Sequence, residues 1–162
     1  MTDHVDRIIA QWNAERPDVD VSPMAVIGRL SRVTRKVTRE LDTVFADHHL
    51  DAASFDVLAT LRRSGKPFEL SPRDLAQSSM VTSSAVAQRL NRLEERHLIT
   101  RSKNHTDGRS IQVTLTPEGR RLIDAALPAH VNNEARLLSA LTDAERSTLA
   151  ALLRKLDTLL PD

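Results

Sequence analysis

Apolar residues recur along most of this chain at helical spacing, and the breaks between runs carry capping residues, so the pattern predicts a mainly helical protein. Val5, Ile8, Ile9 and Trp12 define a helix from Thr2 to about Arg16, ended by Arg16-Pro17-Asp18, with Trp12 expected to dock it on the body of the protein. Ser22-Pro23 opens a helix to Asp47 with Ile27, Leu30, Val37, Leu41 and Val44 along one side. Asp51 caps a helix carrying Phe55, Val57, Leu58 and Leu61, with Asp56, Thr60 and Arg63 on its other face, and Gly65 stops it.

The next stretch organises the rest. Ser71-Pro72-Arg73-Asp74 starts a short helix that breaks at Ser78-Ser79. Thr82 can then cap a longer helix with Ala85, Val86, Leu90 and Leu93 on one arc and Ser84, Ala87, Gln88 and Asn91 opposite. Leu98 to Lys103 and Ser110 to Leu115 predict two strands joined by turn residues Asn104 to Gly108. Helix, helix and β-hairpin in that order describe a winged helix-turn-helix. Thr116-Pro117-Glu118 starts a helix with Leu122, Ile123, Leu127 and Val131, which Pro128 should kink. Thr142-Asp143 starts the last helix, with Leu149, Leu152, Leu153, Leu156 and Leu159.

The expected fold is mainly α with a small β-hairpin wing, one domain over residues 1–162. Residues 51–116 form a DNA-binding lobe in this scheme, and 1–47 with 117–162 form a helical dimerisation lobe. A leucine-rich terminal helix is better buried against a second subunit, which implies a homodimer with two-fold symmetry. Two reading helices about one DNA turn apart, roughly 34 Å, require a palindromic site.

Composition removes several function classes. Cysteine is absent, which excludes disulfides, thiolate metal sites and thiol redox sensing. The six histidines show no spacing that puts two ligands on one helical turn, so neither metal nor cofactor is expected. The N-terminus has neither a basic leader nor an apolar segment, and no run is long enough to span a bilayer, so the expected location is cytoplasmic with no membrane partner. Serines, histidines and carboxylates are scattered on different elements without a nucleophile signature, which argues against an enzyme.

The formal net charge of +1 conceals an asymmetry. Residues 62–109 hold ten Lys/Arg against five Asp/Glu, a local +5, and the remainder holds 13 against 17, or −4. The positive field therefore sits on the helix-turn-helix and wing. With three Phe, one Trp and no Tyr there is little to stack on unpaired bases, which favours duplex DNA. Asn and Gln on the outer face of the longer helix suit bidentate contacts to adenine in a major groove. The candidate DNA-binding residues are Ser71, Arg73, Thr82, Ser83, Ser84, Ala87, Gln88, Asn91, Arg92, Lys103, Asp107 and Arg109. Arg89 falls within the apolar arc and so needs a partner. Either its stem covers apolar surface while its head reaches water or a carboxylate, or it binds an anion behind the reading face.

The segment resembles the MarR family of bacterial transcription regulators, with Asp107-Gly108-Arg109-Ser110 matching the family's wing motif. The resemblance implies that Arg109 enters a minor groove and Asp107 braces the wing. Gln11-Trp12, Glu15-Arg16-Pro17-Asp18, Ser22-Pro23-Met24 and Phe55-Asp56-Val57-Leu58-Ala59-Thr60-Leu61 are similar to the urate-responsive branch of that family. That similarity implies a ligand pocket of Trp12, Asp56 and Arg89, with Arg101 paired electrostatically to the aspartate. The chain departs from the branch at Ala87-Gln88-Arg89-Leu90-Asn91, where Asn-Arg-Ile-Asp is common, so the resemblance carries over the pocket arginine and not the operator sequence. The expected function is a ligand-responsive repressor of a palindromic operator, released by urate or another planar aromatic anion. The alternative is a winged-helix protein-interaction or architectural module without an effector response.

Overall fold

The computed structural model describes residues 2–80, 83–103 and 111–160, with Ser83 and Ala85 described by their backbone alone. Among the described residues, seven helices and three strands follow in the order α1 (His4–Glu15), α2 (Met24–Asp47), α3 (Ala52–Arg63), β1 (Glu69–Leu70), α4 (Pro72–Ser78), α5 (Ser83–Glu95), β2 (Ile99–Lys103), β3 (Ile111–Leu115), α6 (Pro117–Leu137) and α7 (Asp143–Asp157). The chain divides within α2 into two units, 1–40 and 41–162.

In the first unit Asp3 caps α1 and closes a capping box with Asp6. Arg29 of α2 then bridges the two carboxylates, 2.9 Å from Asp3 and 2.6 Å from Asp6. Val5 is buried and lies so close to Gly28 that a Cβ there would stand 3.2 Å from its Cγ1. Trp12 is 45% exposed, and Val5 with Arg29 ties α1 to α2 within the unit.

The second unit is built around α3. Phe55, Val57, Leu58 and Leu61 are buried with Leu75 of α4, Val86, Leu90 and Leu93 of α5, Ile99, Val113 and Leu115 of the strands, and Ile123 and Ala126 of α6. Asp56 and Thr60, expected on an outer face, are buried as well, because the turn after α4 covers that side of α3. The hairpin of β2 and β3 forms as expected, with Ile99 opposite Leu115 and Lys103 opposite Ile111. It gains a third strand that periodicity does not reveal: the two-residue β1 pairs with β3, giving the order β1-β3-β2.

Capping fixes the remaining boundaries. Ser71 caps α4, Thr116 caps α6 and Thr142 caps α7, each with a side-chain oxygen accepting a first-turn N–H. Thr82, the expected cap of α5, lies outside the described residues. α6 continues as one helix through Pro128, whose missing N–H leaves the Asp124 carbonyl without its helical donor. α7 buries none of its residues.

His97 ends α5 in the left-handed region at φ +57, with its side chain exposed. Glycine removes the Cβ clash there, about 1–2 kcal/mol, and returns part of that gain by loosening the unfolded chain. His97→Gly should therefore stabilise by about 0.5–1 kcal/mol and raise the thermal midpoint by about 1–4 °C in calorimetry at fixed protein concentration. A lower midpoint would show that the histidine side chain makes a contact worth more than the strain.

Candidate nucleic-acid interface

α4 and α5 form the two helices of a helix-turn-helix, and β2 with β3 form its wing. Val86 and Leu90 are almost fully buried and Leu93 is completely so, which holds the inner arc of α5 against α3. Ser84, Ala87, Gln88, Asn91 and Arg92 are exposed on the outer side. The amides therefore face solvent on a helix whose roll is fixed by its core contacts. That is what a groove-reading helix requires.

The flanking residues add charge and polar groups. Ser71 is half-buried, and its hydroxyl accepts from the Asp74 N–H at 3.1 Å and donates to the Asp74 carboxylate at 2.7 Å, so its first commitment is to cap α4. Arg73, beside it, is exposed, and Lys103 is exposed at the end of β2. Asp107 and Arg109 of the wing motif, Thr82, and the side chain of Ser83 lie outside the described residues.

The residues implied for ligand binding are divided between the two units. Trp12 belongs to the first unit, and Asp56, Arg89 and Arg101 to the second. Arg89 is half-buried, with Nε 3.1 Å from Asp51 Oδ1, so its guanidinium does reach a carboxylate. Asp51 also accepts from the Ser54 N–H at 2.8 Å as the cap of α3. Burial raises the Asp51 pKa, but its hydrogen bonds from Ser54 and the Arg89 charge outweigh that effect and leave it below the ordinary aspartate value. Arg101 Nε donates to Glu94 Oε2 at 2.9 Å and its backbone N–H to Oε1 at 3.1 Å, tying β2 to the end of α5. The carboxylate on Arg101 is thus Glu94, where the resemblance implies Asp56. The guanidinium holds Glu94 below its ordinary value.

Asp56 faces a cavity of about 540 Å³ between α3 and α6, lined also by Phe55, Ala59, Arg63, Met80, Leu127 and His130; Arg89 and Arg101 are not among its lining residues. From the sequence Asp51 reads only as the cap of α3, and Glu94 carries no signal of its own. The demand that Arg89 find a partner was the one usable signal, and it does not say which carboxylate answers it. Among the described residues no group of three His, Asp or Glu side chains is placed to hold a metal ion, and no helix is long and apolar enough to cross a membrane.

A sequence profile of the MarR family matches residues 50–111, the span of the helix-turn-helix and most of the wing. The transcriptional regulator PecS of Dickeya dadantii is 43% identical over 153 residues, covering 94% of this chain and 92% of its own. Among solved structures, Bordetella bronchiseptica BpsR, whose DNA binding is regulated by 6-hydroxynicotinic acid, superposes with a TM-score of 0.74 at 30% identity, over 82% of this chain and 92% of that one. A cysteine-to-serine mutant of MarR from E. coli, in complex with operator DNA, superposes with a TM-score of 0.71 at 27% identity, over 93% and 98% of the two chains. These relatives are transcriptional regulators and not enzymes.

Proposed function

Because the chain belongs to the MarR family of DNA-binding transcriptional regulators, we propose that it is a repressor that binds a palindromic operator as a homodimer and lets go when a planar aromatic anion such as urate binds. The observation that carries this reading is the outward, solvent-exposed amide face of α5 on a helix whose opposite side is locked in the core. Phosphate contacts from Arg73, Lys103 and Arg109 set register on the duplex, and Gln88 and Asn91 read base edges.

Uncovered apolar surface supports the homodimer. Val26, Ile27 and Val33 of α2 are more than half exposed, and Leu149, Leu152, Leu153 and Leu156 of α7 are 39–57% exposed. Two exposed apolar helix faces on one chain are suited to burial against a second copy. Residues 51–116 serve as the DNA-binding lobe in this proposal, and the flanking helices as the dimerisation lobe.

Competition for Arg89 supplies a route from effector to DNA. An anion that takes the guanidinium from Asp51 pulls on α5 from its inner side, since Arg89 lies one residue from Gln88 and two from Asn91. 6-Hydroxynicotinic acid, the molecule that regulates BpsR, is a planar aromatic acid, which supports that ligand class here. Urate is the first compound to try. It should lower DNA affinity about 5–150-fold, the usual span of coupling between two sites. Arg89→Ala should retain DNA binding and lose the urate response. Fluorescence anisotropy of labelled duplex, with tryptophan emission as a second signal, reads both; an unchanged DNA affinity of the wild type at saturating urate rules out urate as effector.

A further inference from the structure

We propose that Thr60 and Arg63, together with Asp56, position the recognition helix by clamping the turn that leads into it, an inference that rests on the DNA-reading role of α5. The three residues occupy positions i, i+4 and i+7 of α3 and so share one face of that helix. They meet three successive residues of the turn. Arg63 donates to the Ser78 carbonyl, an acceptor left open at the end of α4. Thr60 Oγ1 lies 3.5 Å from Ser79 Oγ, a long contact, and the Ser79 hydroxyl itself donates to the Leu75 carbonyl at 2.7 Å, so an acceptor faces Thr60. The Met80 N–H donates to Asp56 Oδ2 at 2.6 Å.

Each contact alone is ordinary, but their order is informative. Residues 78, 79 and 80 are held in sequence by a rigid helix whose apolar side is fully buried, and α5 begins at Ser83. The N-terminal end of a recognition helix is the part that reaches base edges, so a shift in this turn moves the reading residues directly. Arg63 lies 3.8 Å from Asp56, so the cation and the carboxylate also steady one another. The clamp acts on where the helix sits, and phosphate affinity belongs to other residues. A positioning role therefore predicts loss of discrimination without loss of charge-driven binding.

The test compares wild type with a Thr60→Val, Arg63→Met double variant. The probes are a duplex that the wild type selects from a random library and a scrambled duplex of the same composition, each across a salt series. The variant should lose about tenfold of its preference for the selected duplex, while its affinity for the scrambled one and its salt slope stay at wild-type values. In the free protein the Met80 amide should exchange with solvent about tenfold faster. Arg63→Lys, which keeps a donor for the Ser78 carbonyl, should restore most of the preference. Unchanged preference or unchanged Met80 exchange overturns the clamp, as does a salt slope smaller by about one, which would make Arg63 a phosphate contact. A wild type that selects no duplex defeats the DNA-reading role and this inference with it; a selecting wild type with an unaffected variant defeats the clamp alone.

Discussion

Gly119→Ala is expected to lower the thermal midpoint by roughly 6–12 °C. A Cβ at Gly119 would stand 2.0 Å from the Leu98 carbonyl oxygen and 2.9 Å from Leu115 Cδ1. The first neighbour is backbone, at the root of the wing, and cannot swing aside. It is also held in place: Leu98 accepts from the Thr116 N–H at 3.1 Å, while the Thr116 hydroxyl accepts from the Gly119 N–H at 3.0 Å. Admitting a methyl group therefore separates the first turn of α6 from β2 and breaks that cap. Overpacking of this kind with loss of a cap costs about 3 kcal/mol, and each kcal/mol is worth about 2–4 °C in a chain of this size. Calorimetry at fixed protein concentration measures it. A midpoint within about 2 °C of wild type would mean that α6 can lift from the wing root without cost.

The elements of the winged helix-turn-helix were legible because each announces itself locally. Ser71-Pro72 and Thr116-Pro117 cap helices as their chemistry requires, and the arc of Val86, Leu90 and Leu93 places the outer face of α5 correctly. Polar faces were harder. Asp56 and Thr60 share a helix side with an arginine, which periodicity reads as solvent-facing, yet a turn more than fifteen residues further on covers them. The burial of a polar group depends on what arrives to satisfy it, and that is tertiary information. β1 is not legible because two residues carry no alternation, and nothing near Gly119 in the sequence shows that it leaves room for another segment's backbone.

The same limit governs the candidate ligand residues. Arg89 could be recognised as an arginine in need of a partner because it interrupts an apolar arc. Asp51, 38 residues earlier, could be recognised only as a helix cap, and it serves both purposes. Arg101 meets Glu94 because the chain turns back on itself after α5, a geometry set by the hairpin's pairing with β3.

The second large effect concerns the reading face. An amide making a bidentate contact with adenine is worth about 1–3 kcal/mol of discrimination against the wrong base, so Gln88→Ala and Asn91→Ala should each lower affinity for the preferred duplex about 5–150-fold. Both residues are exposed and uncharged, so neither change should disturb folding or the salt dependence of binding. That range is for one half-site; in a symmetric dimer the free-energy loss doubles, about 2–6 kcal/mol over the two halves.

Selection of duplexes from a random library by the wild type, Gln88→Ala and Asn91→Ala proteins at one salt concentration tests directly whether α5 reads DNA. The wild type should return a two-fold symmetric sequence, and each variant should return the same sequence with preference erased at one base-pair position in each half. A wild type with no preferred sequence, or variants whose preferences match it at every position, would show that this face of α5 does not read DNA.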